Sequence, residues 1–153
     1  MQKLFMIMGV TGSGKSTFAE LLSKRLTIPV IEADELTADS EDRWYDKIAE
    51  LVSAYADTGA VLVFSGITAA SREALISRLP HEPLLIYLQG DYDTVSVQIQ
   101  QRDKQHGSSL NLLRAQFDDL EEPEDALFIP LSDDLNFGEE ADAVIEHAKL
   151  KAK

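Results

Sequence analysis

The residues Gly9-Val10-Thr11-Gly12-Ser13-Gly14-Lys15-Ser16-Thr17 follow directly on the apolar run "LFMIM". Their types and spacing fit the capture of phosphate. Glycine lets a backbone curl with its N–H groups turned inward around anionic oxygens. A helix opening at Lys15 would bring its positive end to the same anion. Lys15 can reach terminal phosphates as a point charge, and the Ser16 hydroxyl can ligate Mg²⁺. Gly9, Gly14, Lys15 and Ser16 satisfy G-x4-G-K-[ST]. The competing reading is a plain glycine turn. The position of the stretch, after a strand and at the head of a helix, favours the phosphate cradle, with residues 9–17 all in reach of a nucleotide.

Two carboxylates, Glu32 and Asp34, stand at the end of the next strand-like run, "PVIEAD". Two residues apart on an extended chain, they point the same way. Near a terminal phosphate and its metal, Glu32 can orient Mg²⁺ through water. Asp34 can then accept a proton from an attacking hydroxyl. A solvated strand end is the competing reading. Other nucleotide chemistries lack their marks: there is no Asn-Lys-x-Asp guanine reader and no Asp-x-x-Gly switch. "VLVFSG" ends on Ser65 and Gly66, where an ATPase strand would end on Asp-Glu.

The elements that must position these groups alternate along the chain. Strands are expected at Lys3 to Met8, in "PVIEAD", at Val61 to Ser65, at Leu84 to Leu88 and in "ALFIPL". Phe18, Leu21, Leu22 and Leu26 share one helical face. A long helix from Ser40 carries Trp44, Ile48, Leu51, Val52 and Tyr55 on a stripe, with Trp44 and Tyr55 read as core. Ser40 can cap it, Glu41 and Asp42 suit its dipole, and Gly59 can end it. Further helices are expected over Ala69 to Leu79, along the stripe Leu110, Leu113, Phe117 and Leu120, and from near Glu139. "TVSVQIQ" (Thr94 to Gln100) alternates like a strand. It is assigned to a helix capped by Asp93, because a parallel sheet needs a crossover there. The rhythm predicts an α/β fold with a mostly parallel sheet and helices on both faces. Ligands on such sheets sit beyond the carboxyl ends of the strands.

The bulk properties agree. The chain has 153 residues, the size of one domain over 1–153, and at 44% hydrophobic it can bury a core. With no cysteine, thiolate catalysis and disulfides are excluded. A net charge of −13 argues against nucleic-acid partners. The apolar runs are too short for a bilayer span and no secretory signal is visible, so a cytoplasmic enzyme with no membrane partner is expected, as monomer or homodimer. His81, His106 and His147 show no ligand spacing. The acidic run "DDLEEPED" reads as a solvated helix end.

Taken together, the segments resemble the gluconate kinases, within the shikimate-kinase-like group of small P-loop kinases. The similarity runs through nearly the whole chain. "MGVTGSGKST" resembles the family's opening. "VIEAD" stands where the family has an Asp-Gly-Asp strand end, with Asp34 on the second acid and Glu32 in place of the first. "FSGITAASREALI", "LIYLQGDYD" and "LLRAQFDDLEEPED" are similar to later landmarks. The resemblance implies a three-layer P-loop NTPase fold with a five-stranded parallel sheet and helices on both faces, ATP with Mg²⁺, transfer of the γ-phosphoryl group to a hydroxyl of a sugar acid, and a mobile lid around 101–109. In that lid Arg102 is the expected phosphate clamp, and Lys104 a weaker one.

The departures gather at the acceptor side. The family's His-Pro-x-x-Asn, Lys-Met and Gly-x-Pro-Leu stretches are missing. Only "ELTADSE" separates Asp34 from "DRW". Thr68 replaces a lysine and Ser71 a tyrosine of the family pattern. A sugar acid needs a positioned cation. Of the 14 lysines and arginines, Arg43 and Arg72 are the ones expected to face the acceptor. Two functions stand at this point. One is a small-molecule kinase with Asp34, Lys15 and Arg102 catalytic. The other is a degenerate nucleotide-binding module with a regulatory or partner-binding role.

Overall fold

The structure, a computed structural model, describes residues 2–102 and 107–151. In chain order the elements are β1 (Leu4–Met8), α1 (Lys15–Leu26), β2 (Val30–Glu32), a 3₁₀ turn (Ala33–Glu35), α2 (Glu41–Ser53), β3 (Ala60–Val63) and α3 (Ala69–Ile76). They continue with β4 (Leu84–Gln89), α4 (Tyr92–Arg102), α5 (Gly107–Asp119), β5 (Leu127–Pro130) and α6 (Phe137–Lys151).

The five strands form one parallel sheet in the order β2-β3-β1-β4-β5. Leu4 pairs with Ala60 on one side of β1, and Phe5 with Leu84 on the other. The first crossover leaves β1 toward β2, whereas the crossover from β3 lands on β4, beyond β1. The chain therefore reverses direction at β1, and the crevice of the sheet opens at that strand's carboxyl end. The glycine loop occupies that position.

All five residues of β1 are buried, as a strand covered on both faces requires. Their alternation sorts them. Phe5 and Ile7 pack with Phe18, Ala19 and Leu22 of α1 and with Ala141, Val144 and Ala148 of α6. Leu4 and Met6 pack with Ile48 and Val52 of α2 and Leu75 of α3. Each large apolar side chain so buried contributes roughly 1.5–3 kcal/mol. A third, smaller cluster joins Val10 of the glycine loop to Val95, Ile99 and Leu113 of α4 and α5.

"TVSVQIQ" is helical, but its expected cap is corrected: Asp91, not Asp93, accepts from the Thr94 N–H at 2.7 Å, and Asp93 lies inside the first turn of α4 because the helix opens at Tyr92. Val95 and Ile99, four apart, are buried, while Val97 between them is 49% exposed. The crossover dictates a period of 3.6, and the period-two pattern is incidental. Ser40 caps α2 by accepting from the Arg43 N–H at 3.2 Å. The stripe expected on α2 is corrected. Its buried face is Tyr45, Ile48, Ala49 and Val52, while Leu51 and Tyr55 are 38% and 40% exposed. Tyr55 lies beyond the end of the helix, where helical phase no longer sets its direction. It belongs to the turn closed by the Gly59 N–H on the Tyr55 carbonyl at 2.7 Å. Trp44 is half-buried and packs against the second cluster.

Candidate active site

The glycine loop is held in shape by its own chemistry. A Cβ at Gly9 would stand 2.7 Å from Ser13 Oγ and 3.1 Å from the Leu88 carbonyl. Gly14 takes a left-handed conformation at φ 96° as it opens α1, which a side chain would strain. Lys15 folds back over the loop, its Nζ donating to the Gly9 and Val10 carbonyls at 2.9 and 3.0 Å.

An anion fits here. No side chain caps the start of α1, and its first turn carries no acid. The first backbone bond of the helix runs from the Phe18 N–H to the Gly14 carbonyl at 3.0 Å, so the preceding turn presents N–H groups without an intrahelical acceptor. Among the described residues, Ser13 Oγ is a buried side-chain oxygen with no hydrogen-bond partner. Such a group is costly unless a ligand or water satisfies it. A phosphate meets each of these demands.

Beside the loop lies a cavity of about 230 Å³, lined by Thr11, Gly12, Gly14, Lys15, Ser16 and Thr17 together with Glu32, Asp34 and Val63. The two carboxylates thus converge on the cradle. Their expected alignment along one strand is corrected, because β2 ends at Glu32 and Ala33–Glu35 turn as a 3₁₀ helix. The turn carries Asp34 to the cavity wall. The Ser65 hydroxyl, from the end of β3, holds Asp34 Oδ2 at 2.8 Å. The Trp44 indole N–H fixes the turn through the Ala33 carbonyl at 3.1 Å. Ser16, Glu32 and Asp34 are hard oxygen donors of the kind Mg²⁺ takes alongside substrate phosphates and waters.

Asp34 also lines a second cavity, of about 320 Å³, with Glu41, Trp44, Phe64 to Thr68, Ser71, Gln116 and Asp119 on its walls. One carboxylate therefore stands between the phosphate cradle and a cleft of mixed lining, in which Trp44, Tyr45, Phe64, Ile67 and Leu112 supply apolar walls beside the carboxylates and hydroxyls. A third space, of about 400 Å³, opens on the other side of the loop. It is bounded by Gln98 and Gln101 of α4 and by Leu131, Leu135 and Phe137 around the start of α6. The sequence reading missed these last residues. "LSDDLNFG" carries only an N-cap signal, confirmed by Asn136 accepting from the Glu139 N–H at 3.1 Å.

The structure does not bring the two expected arginines to the cleft. Arg43 is an exposed residue paired with Asp39 at 3.2 Å. Arg72 is 7% exposed and donates to the Gly66 carbonyl at 2.5 Å. Burial pulls its pKa down, with the Glu121 charge opposing. It holds the wall of the cleft from behind. Among the described residues no lysine or arginine lines the second cavity. Arg102 ends α4, and Lys104 and the centre of the expected lid lie outside the described residues. The acidic run is not simply solvated: Glu121 accepts from the Ala69 N–H at 3.1 Å and Glu122 from the Gln89 amide at 2.6 Å. No group of three or more histidine, aspartate or glutamate side chains among the described residues could hold a metal by itself.

Solved structures share the fold. A gluconokinase from Sinorhizobium meliloti superposes with a TM-score of 0.76 at 21% identity, covering 99% of this chain and 98% of that one. An APS kinase from Mycobacterium tuberculosis, solved with AMPPNP and APS, gives 0.72 at 18% identity over 97% and 98%. The fold and the loop define a P-loop α/β protein. Sequence narrows the class. The thermosensitive gluconokinase of Escherichia coli is 30% identical over 138 residues, covering 78% of this chain and 72% of its own length. The gluconokinase of Arabidopsis thaliana is 29% identical over 150 residues, 80% of this chain and 79% of that one. No family model matches the chain. The chain belongs to the gluconokinase family. No described helix is long and apolar enough to cross a membrane.

Proposed function

We propose that this protein is an ATP-dependent kinase that transfers the γ-phosphoryl group to a hydroxyl of a gluconate-like sugar acid or a closely related polyhydroxylated metabolite. The observation that carries the reading is the position of Asp34 on the walls of both the phosphate cavity and the adjoining cleft. An alcohol in the cleft would have its proton facing the carboxylate and its oxygen facing the terminal phosphate. That is the geometry an in-line transfer needs.

Each residue then has a task. The loop from Gly9 to Thr17 cradles the phosphates, and Ser13 Oγ gains the partner it lacks. Lys15 leaves its carbonyls for the terminal phosphates. Asp34, oriented by Ser65, takes the proton of the acceptor hydroxyl as it attacks. Ser16 and Glu32 would hold Mg²⁺, which when bound would neutralise the phosphate oxygens. The space walled by Gln98, Leu135 and Phe137 suits the nucleoside. Arg102 is the first candidate cation for the transferred group and Lys104 a weaker one, in the role the family resemblance gives them.

The test is a coupled assay of ADP formation with ATP and magnesium. It would use a panel of gluconate, other aldonates, neutral alditols, shikimate and nucleosides. Gluconate or another member of the polyol and aldonate group is expected to accelerate ADP formation and emerge phosphorylated. ATP binding without acceleration by any of them would return the chain to the class of nucleotide-binding modules.

A further inference from the structure

The segment from Gln116 to Glu122 reaches three loops at the carboxyl end of the sheet. The Glu121 N–H donates to the Ile67 carbonyl at 2.8 Å, in the loop after β3, and its carboxylate accepts from the N–H of Ala69, where that loop opens α3. Glu122 accepts from Gln89 at the end of β4. Gln116 reaches the phosphate loop: its Oε1 accepts from the Thr11 backbone N–H at 2.6 Å, across 105 residues of sequence. Apolar packing fixes the same joint, since Val10 is buried against Val95, Ile99 and Leu113. The phosphate loop and the α4–α5 pair are therefore one packed unit with Gln116 as its polar latch.

This bond settles which way the amide faces. A backbone N–H can only donate, so the oxygen of Gln116 must be the atom on Thr11, and the NH₂ group lies on the other branch. Among the described residues that nitrogen has no hydrogen-bond partner. Gln116 also lines the cleft on which Asp34 stands. The carboxylates there, Asp34, Glu41 and Asp119, only accept when ionised. A polyhydroxylated ligand, rich in acceptor oxygens, needs donors as well. Gln116 offers a donor whose orientation is fixed from behind by the phosphate loop.

We propose that Gln116 is a specificity-determining residue: its amide nitrogen donates to an oxygen of the acceptor while its amide oxygen holds the phosphate loop, so that acceptor and nucleotide reinforce each other's binding. The proposal rests on the kinase reading above. Coupling of this kind is reciprocal: whatever factor the acceptor adds to nucleotide affinity, the nucleotide adds to acceptor affinity.

The experiment compares wild type with Gln116→Glu and Gln116→Leu. Affinity for the β,γ-imido analogue of ATP is measured by calorimetry with and without gluconate, and gluconate KM and kcat are measured by ADP release. Gln116→Glu keeps an oxygen for Thr11 and loses the donor. It is expected to bind the analogue within about twofold of wild type, to raise gluconate KM about tenfold or more, and to bring a coupling factor of about fivefold or more close to one. Gln116→Leu loses both arms and is expected to weaken the analogue as well. A wild-type gluconate KM and coupling factor in Gln116→Glu would overturn the proposal. If wild type itself shows no acceptor-dependent ADP formation, the kinase reading fails separately. Unchanged analogue affinity in a folded Gln116→Leu would then overturn the latch.

Discussion

The Ser65 hydroxyl donates a 2.8 Å hydrogen bond to Oδ2 of Asp34, joining the ends of two adjacent strands at the boundary of two cavities. The bond fixes the carboxylate through one oxygen, and under the kinase reading the other serves the acceptor. Asp34→Asn keeps the shape and removes the basicity. Its kcat is expected to fall about 10²- to 10⁴-fold with ATP affinity unchanged by calorimetry. Ser65→Ala loosens the carboxylate, and a smaller loss of about tenfold is expected. Wild-type turnover in Asp34→Asn would remove Asp34 from the role of base.

Lys15 is the cation of the cradle, held ready by the Gly9 and Val10 carbonyls. Lys15→Ala removes its charge-assisted bonds to the phosphates, and ATP affinity should drop about ten- to a hundredfold. Calorimetry with magnesium and ATP reads this directly. An unchanged dissociation constant would count against the loop as the nucleotide site.

Arg72 is a structural cation. Its bond to the Gly66 carbonyl stabilises a turn in which Gly66 has φ 60°, and this turn forms part of the cleft wall. Arg72→Met keeps the apolar stem and leaves the carbonyl without its donor, at a cost of about 1–3 kcal/mol. The melting temperature should fall by about 2–4 °C for each kcal/mol in a chain of this size. ATP affinity is expected to stay within a few-fold. A melting temperature equal to wild type would mean that the bond contributes nothing.

Tyr87 gives the fold an alkaline limit. It is buried on β4, edge-on to Phe128 at 5.6 Å. Burial first, then the charge and hydrogen bond of Glu122, push its hydroxyl well above the usual phenol range. The folded state therefore keeps a proton that the unfolded chain releases near pH 10. The associated stability is complete below about pH 10 and is lost as pH rises beyond it, by up to about 1.4 kcal/mol per pH unit. Tyr45 shifts in the same direction, chiefly through burial. Urea titrations at pH 9 to 11.5 should show a shallower decline in Tyr87→Phe than in wild type. Equal slopes would assign the alkaline loss to other groups.

What could be read from the sequence was what short-range chemistry controls. Glycines at the spacing of Gly9 and Gly14, followed by Lys15 and Ser16, specify a phosphate cradle because backbone freedom and one charge suffice to build it. The apolar runs and helical stripes specify a parallel sheet, since only burial on both faces explains strands like Leu4–Met8. Crossover logic even overruled the misleading alternation around Val95, Val97 and Ile99.

Tertiary structure decided the rest, because it depends on contacts between segments far apart in the chain. Asp34 reaches its place through a turn held by Trp44 and Ser65, not through strand alternation. Arg72 looked like a ligand for an anion and is instead enclosed behind Gly66, since nothing local distinguishes a buried guanidinium from an exposed one. Gln116 meets Thr11 across 105 residues, and Glu121 and Glu122 bind loops that a charge run does not announce. The sequence by itself determined a glycine loop of the type that holds phosphates, set on a parallel α/β frame. Only the packing of α5 and the β2 turn against that loop decided which side chains line the adjoining cleft, because their directions are set by neighbours and not by their own residue types.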